Sequence, residues 1–121
     1  MSEQPKVVIF EDSEVWQEMV RDAVESWGGA VVAIVDNMAT ALDEVIPQLA
    51  VWGVTHVFVD GRLSEDGVAD GKIITSAVKA VKASITTIGL SGGKQDYVDV
   101  EIGKLDYHQS EHKLKKALGL E

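Results

Sequence analysis

The stretch from His56 to Gly71 reads HVFVDGRLSEDGVADG: a short apolar run, one carboxylate, then a polar segment rich in glycine and acid. Val57–Val59 is β-branched and aromatic with no polar alternation, the pattern of a strand buried on both faces. A carboxylate closing such a run needs a reason to be there, because charge taken from water without a partner is costly. Working outward, the same pattern recurs at Val7–Phe10, Ala30–Val35 and Ile85–Leu90. A weaker run, Tyr97–Ile102, alternates apolar and polar residues and suits a strand with one wet face or one at an edge.

Helical patterns lie between these runs. Ser13 is a candidate cap for a helix carrying Trp16, Met19, Val20, Ala23, Val24 and Trp27 at three- and four-residue spacing, and Gly28-Gly29 stops it. A second helix is predicted from about Met38 to Ala50, with Pro47 kinking it or ending it early. A third is predicted from about Gly71 to Lys82, and a last one from about Gln109 to Leu118. The order is strand and helix in alternation, which makes a parallel sheet with helices on both faces and right-handed connections. The expected fold is α/β: a doubly wound, five-stranded parallel sheet forming one domain over residues 1–121.

Composition excludes several classes. The chain has 121 residues, no cysteine and a net charge of -9. Without cysteine there is neither a disulfide framework nor a zinc–thiolate site. The acidity argues against direct contact with nucleic acid. No apolar run is long enough to span a bilayer, and Met1–Lys6 lacks the pattern of a signal peptide, so no membrane is expected and a cytoplasmic protein is.

In a doubly wound sheet, ligands bind beyond the carboxyl ends of the strands. Glu11 and Asp12 follow the first strand, Asp60 ends the third, Ser91 with Gly92-Gly93 follows the fourth, and Lys104 follows the fifth. Three carboxylates so placed repel one another unless a cation is present. Mg²⁺ favours oxygen ligands and shares them with phosphate. A carboxylate is also a nucleophile toward phosphorus, and a hydroxyl and an ammonium can hold the remaining phosphoryl oxygens. Blander readings stay open. Glu11-Asp12 can simply favour the positive end of the next helix, Asp60 can cap its loop, and Ser91 can be an ordinary turn residue. His108 and His112 read as a solvated helix face, His56 as a structural residue opening a strand, and Trp16, Trp27 and Trp52 as packing residues.

This combination resembles the receiver domain of response regulators. KVVIFEDSEVWQEMVRDAVESWG resembles the family's opening strand, acidic pair and first helix. DNMATALDEV resembles its next helix, HVFVDGRLSEDGVADG its phosphoacceptor strand and loop, and TIGLSGG its fourth strand ending in Ser or Thr. The resemblance covers about Lys6 to Ser91. It implies a flavodoxin-like, receiver-type fold with Asp60 as phosphoacceptor. It also implies a Mg²⁺ site of Glu11, Asp12, Asp60 and the main-chain carbonyl of Arg62, with Ser91 as switch hydroxyl and Lys104 as the phosphate-facing lysine. The implied partners are a histidine kinase or histidine phosphotransfer protein and a downstream protein target. The implied state is a stand-alone monomer or weak dimer that is no turnover enzyme, at most phosphorylating and dephosphorylating itself.

The chain departs from the family after Ser91. The family fits a helix between its fourth and fifth strands; here the spacing leaves room for about one turn at most, so that helix is expected to be missing or vestigial. Leu105 follows Lys104 where the family has proline, Ile102 replaces an aromatic, and Ser64 stands where proline is common. Two rivals follow: a pseudo-receiver that binds partners without phosphorylation, and an aspartyl-phosphate hydrolase. The latter usually carries a second Asp where this chain has Arg62.

Overall fold

Val7, Val8, Ile9 and Phe10 are completely shielded from solvent, and they alternate between two cores. Val7 and Ile9 pack with Phe58, Ile88 and Leu90, whereas Val8 and Phe10 pack with Val57 and Val59. A strand apolar at every position is therefore a strand covered on both faces. The computed structural model describes residues 4–60, 70–91, 95–103 and 111–120. Its strands are β1 (Lys6–Phe10), β2 (Ala30–Val35), β3 (His56–Val59), β4 (Thr86–Ser91) and β5 (Val100–Gly103). All pairings are parallel, in the order β2-β1-β3-β4-β5.

Helix α1 (Glu14–Ser26) contributes Val20 and Val24 to one core, joined by Leu114 of α4 (Glu111–Ala117) and by Leu118. The opposite core takes Ala41, Val45, Ile46 and Leu49 from the segment after β2, and Ile74 and Val78 from α3 (Asp70–Val81). Each fully buried aliphatic or aromatic side chain contributes about 1.5–3 kcal/mol. Trp16, Trp27 and Trp52 are half-buried against these cores, as expected. No described helix is long and apolar enough to cross a membrane.

The edges correct two expectations. Ala30–Val35 was expected to be covered on both faces, but only Val35 is buried, because β2 is an edge strand. Its register slips between Val7 and Val8 of β1, so that Val32 is an extra, 40% exposed residue. Such a bulge blunts an open sheet edge. At the other edge, β5 is shorter than the alternating run and starts at Val100.

Helix ends follow local chemistry. Gly28, at φ 96°, takes the left-handed turn that ends α1, and the Gly29 N–H donates to the Val24 carbonyl at 2.8 Å. Ser13 occupies the cap position of α1 but its hydroxyl makes no capping bond. Asn37 does cap: its Oδ1 accepts the Thr40 N–H at 2.8 Å. The expected helix after it stays regular only through α2 (Met38–Thr40). Pro47 offers no N–H and presses on the carbonyl four residues back. The chain widens into a π turn at Ala41–Val45, where the Ile46 N–H reaches the Ala41 carbonyl, and then tightens into a 3-10 turn at Ile46–Gln48.

Between β4 and β5 the described residues 95–99 form turns and bends and no helix. They lie over β4: a Cβ built on Gly89 would meet Gln95 Oε1 at 2.5 Å and Val98 Cγ2 at 2.8 Å. Asp99 anchors the segment. Its Oδ2 accepts from Lys79 Nζ at 2.6 Å, from the Thr87 N–H at 2.9 Å and from the Thr87 hydroxyl at 3.2 Å. Burial works to raise the Asp99 pKa, but these bonds, led by Lys79, outweigh it and hold the carboxyl below its ordinary value.

His56 opens β3 as a structural residue. Its Nε2 lies 2.9 Å from the Ala117 carbonyl, which can only accept, so Nε2 carries the proton and Nδ1 accepts the Thr55 hydroxyl at 2.7 Å. Burial lowers its pKa below 6.5, and the Ala117 bond opposes this without cancelling it. A base whose pKa is depressed on folding stabilises the fold above its unfolded value and loses that contribution as pH falls through the folded one. Asp99 follows the same sign in a lower window, beneath the ordinary aspartate value. Urea midpoints against pH should therefore fall in two phases, and His56→Gln should remove only the upper one.

Candidate functional site

The β1–β3 register ends with Phe10 beside Val59. The next residues, Glu11 and Asp60, thus leave neighbouring parallel strands about 4.8 Å apart. Backbone bonds aim both: the Asp60 N–H donates to the Phe10 carbonyl and the Glu11 N–H to the Val35 carbonyl, each at 2.9 Å. Glu11 is 1% and Asp60 8% exposed, while Asp12 is open to solvent. Carboxylate oxygens of Glu11, Asp12 and Asp60 all lie within 4.8 Å of one another. The entry to α1 supports them. Glu11 Oε2 accepts the Ser13 N–H at 3.2 Å, and Gln17 Nε2 donates to the Glu11 carbonyl at 2.7 Å.

Three carboxylates this close, two of them shielded from water, repel strongly. A divalent cation answers that repulsion. An oxygen-only donor set suits a small, hard ion rather than zinc or copper. Adjacent oxygens around an octahedral Mg²⁺ at about 2.1 Å stand roughly 3 Å apart, so the three carboxylates must draw together to share one. The residues fit such an ion.

Of the other residues expected here, Ser91 ends β4 and pairs in register with Gly103 of β5; its side chain lies outside the described residues. Arg62 and Lys104 also lie outside them, as do Glu65, Asp66 and His108. Asp70, the last acid of the loop after Asp60, opens α3 and is buried. His112 is exposed on α4, in keeping with a solvated face.

Two glutamines escaped the sequence reading. Gln17 borders the apolar stripe of α1, three residues before Val20, and this position was the available signal for it. Gln95 had none, since no periodicity runs through its segment. It is 2% exposed, and its Nε2 donates to the Val59 carbonyl at 3.1 Å and to the Tyr97 hydroxyl at 2.9 Å. Its Oε1 is buried without a hydrogen-bond partner among the described residues. Each bond made contributes about 0.5–1.5 kcal/mol and a buried unmet acceptor costs about 1–3 kcal/mol. These nearly cancel, so Gln95 adds little net stability.

No protein-family model matches the sequence, and a search of curated proteins finds no match. Solved structures do match in shape. The signal receiver domain of a DNA-binding response regulator from Colwellia psychrerythraea 34H superposes with a TM-score of 0.71 at 19% identity, over 96% of this chain and 99% of that one. A CheY-like response regulator receiver domain from Methylobacillus flagellatus gives 0.70 at 20% identity, over 95% and 99%. The response regulator domain of Thermotoga maritima CheB gives 0.73 at 14% identity, over 97% and 95%. The fold is that of a response-regulator receiver, with the helix between the fourth and fifth strands replaced by turns in the described residues.

Proposed function

We propose that this chain, built on the receiver fold, is a Mg²⁺-dependent phosphoacceptor of two-component signalling that takes a phosphoryl group on Asp60. The observation that carries this reading is the convergence of Glu11, Asp12 and Asp60 within 4.8 Å at the carboxyl ends of adjacent strands. An Asp60 carboxylate oxygen attacks phosphorus. The new O–P bond forms as the P–N bond to a histidine of the donor breaks, and the imidazole leaves with the electron pair. The bound metal ion supplies charge neutralisation and orientation of the phosphoryl group. Glu11 and Asp12 would hold it together with Asp60, and the resemblance implies the Arg62 carbonyl as a further ligand. The Ser91 hydroxyl and the Lys104 ammonium hold the other phosphoryl oxygens.

The donor is a histidine kinase or histidine phosphotransfer protein, and output is by contact with another cytoplasmic protein. Turnover is limited to self-phosphorylation and self-dephosphorylation. Intact-mass measurement after incubation with acetyl phosphate and Mg²⁺ tests this. One phosphoryl adduct is expected, lost when the metal is chelated. The altered β4–β5 connection favours a second reading, a pseudo-receiver that binds partners unphosphorylated. An unchanged mass at saturating donor and Mg²⁺ would select it.

A further inference from the structure

We propose that Gln95 is a positioning residue for the phosphoacceptor: it fixes the last peptide of β3 and carries the state of Asp60 to Tyr97. The proposal rests on the reading of Asp60 given above. The peptide joining Val59 to Asp60 is held from both sides. Its N–H donates to the Phe10 carbonyl at 2.9 Å, and its carbonyl accepts from Gln95 Nε2 at 3.1 Å. A carbonyl only accepts, so the amide orientation of Gln95 is dictated, and its second N–H goes to the Tyr97 hydroxyl at 2.9 Å.

Gln95 is tightly seated on its Gly89 side. Its Oε1 lies so close to Gly89 that a methyl group there would collide with it, and Val98 closes the same space. A rotation of the Val59 carbonyl must therefore move Gln95 or break its bond. Either outcome is felt at Tyr97, which is half-buried and stands in the turn segment over β4. A dianionic group added to Asp60 sits on the side chain of the residue whose N–H belongs to that peptide. The link thus joins the reacting carboxylate to the part of the chain that stands where other receivers place a helix.

The test uses the isotope-labelled 121-residue chain. Side-chain amide signals of Gln95 and ring signals of Tyr97 are followed by NMR through addition of Mg²⁺ and then beryllofluoride, a phosphoryl mimic. Adduct formation from acetyl phosphate is timed by intact mass for wild type, Gln95→Leu and Tyr97→Phe. Both sets of signals should shift with beryllofluoride and stay fixed in Asp60→Asn. Loss of one positioning bond should slow loading roughly three- to tenfold, with Mg²⁺ affinity unchanged. Shifts at the Glu11 and Asp60 amides without any at Gln95 or Tyr97 would overturn the proposal while sparing the phosphoacceptor reading. So would wild-type loading rates in both variants. A wild type that neither loads nor responds at Glu11 and Asp60 would end both. If Gln95→Leu fails to fold, the wild-type spectra and Tyr97→Phe decide.

Discussion

Replacing Asp60 with asparagine is expected to abolish the phosphoryl adduct and, in metal-free buffer, to raise the melting temperature. The first effect follows from removing the nucleophilic oxygen pair. The second follows from crowding: Asp60 and Glu11 are buried side by side, with Asp12 close by. Two unit charges about 4 Å apart repel by about 4 kcal/mol at an effective dielectric constant near 20. Much of this is relieved by side-chain adjustment and water, so a net gain of about 1–2 kcal/mol is expected for the variant. Each kcal/mol is worth roughly 4 °C in a domain of this size.

Excess Mg²⁺ should reverse the order. An ion that binds only the folded state adds about 2.7 kcal/mol when present at a hundred times its dissociation constant. The wild type should gain most of this, and the variant, with one carboxylate fewer, much less. Thermal melts of both proteins with and without Mg²⁺ give the comparison. A variant that melts lower in metal-free buffer would mean that the three acids do not crowd one another.

Gly89→Ala is expected to destabilise the chain by about 1–3 kcal/mol, the usual cost of forcing a methyl group into filled space. Gly89 lies in β4 opposite Val59. Its missing side chain is what lets Gln95 and Val98 lie against the sheet, at 2.5 Å and 2.8 Å from where a Cβ would be. Glycine in a strand interior ordinarily weakens it, so a substitution that adds strand propensity yet lowers stability would identify close approach as the reason for glycine here. The urea midpoint should fall with the slope unchanged. A midpoint that stays level or rises would show that the segment over β4 yields without cost.

The sequence was legible where burial on two faces left its mark. Val7–Phe10 and Val57–Val59 are apolar at every position because cores lie above and below them, and both strands stand where expected. The acid cluster was legible for another reason: residues that follow the strands of a doubly wound sheet gather at one end of it. Ala30–Val35 carries the same apolar signature at an edge, so composition alone could not tell an outer strand from an inner one. Gln95 was hidden because a lone buried amide in a turn has no repeat to announce it. Ser13 was legible as the N-cap of α1 and stands there, yet its hydroxyl makes no capping bond, whereas the Asn37 side chain does cap α2. Which one bonds depends on side-chain geometry that local propensity does not set.

β1 is flanked by β2 and β3, and its four apolar residues are wholly inaccessible. Each of its amides bonds to one neighbour or the other beneath two packed cores, which places the strand among the last segments to open. Glu11 extends directly from that strand. An ion could therefore come and go at the acid tip while the frame beneath it stays shut, and deuterium uptake along Val7–Phe10 should report opening of the sheet rather than events at that tip.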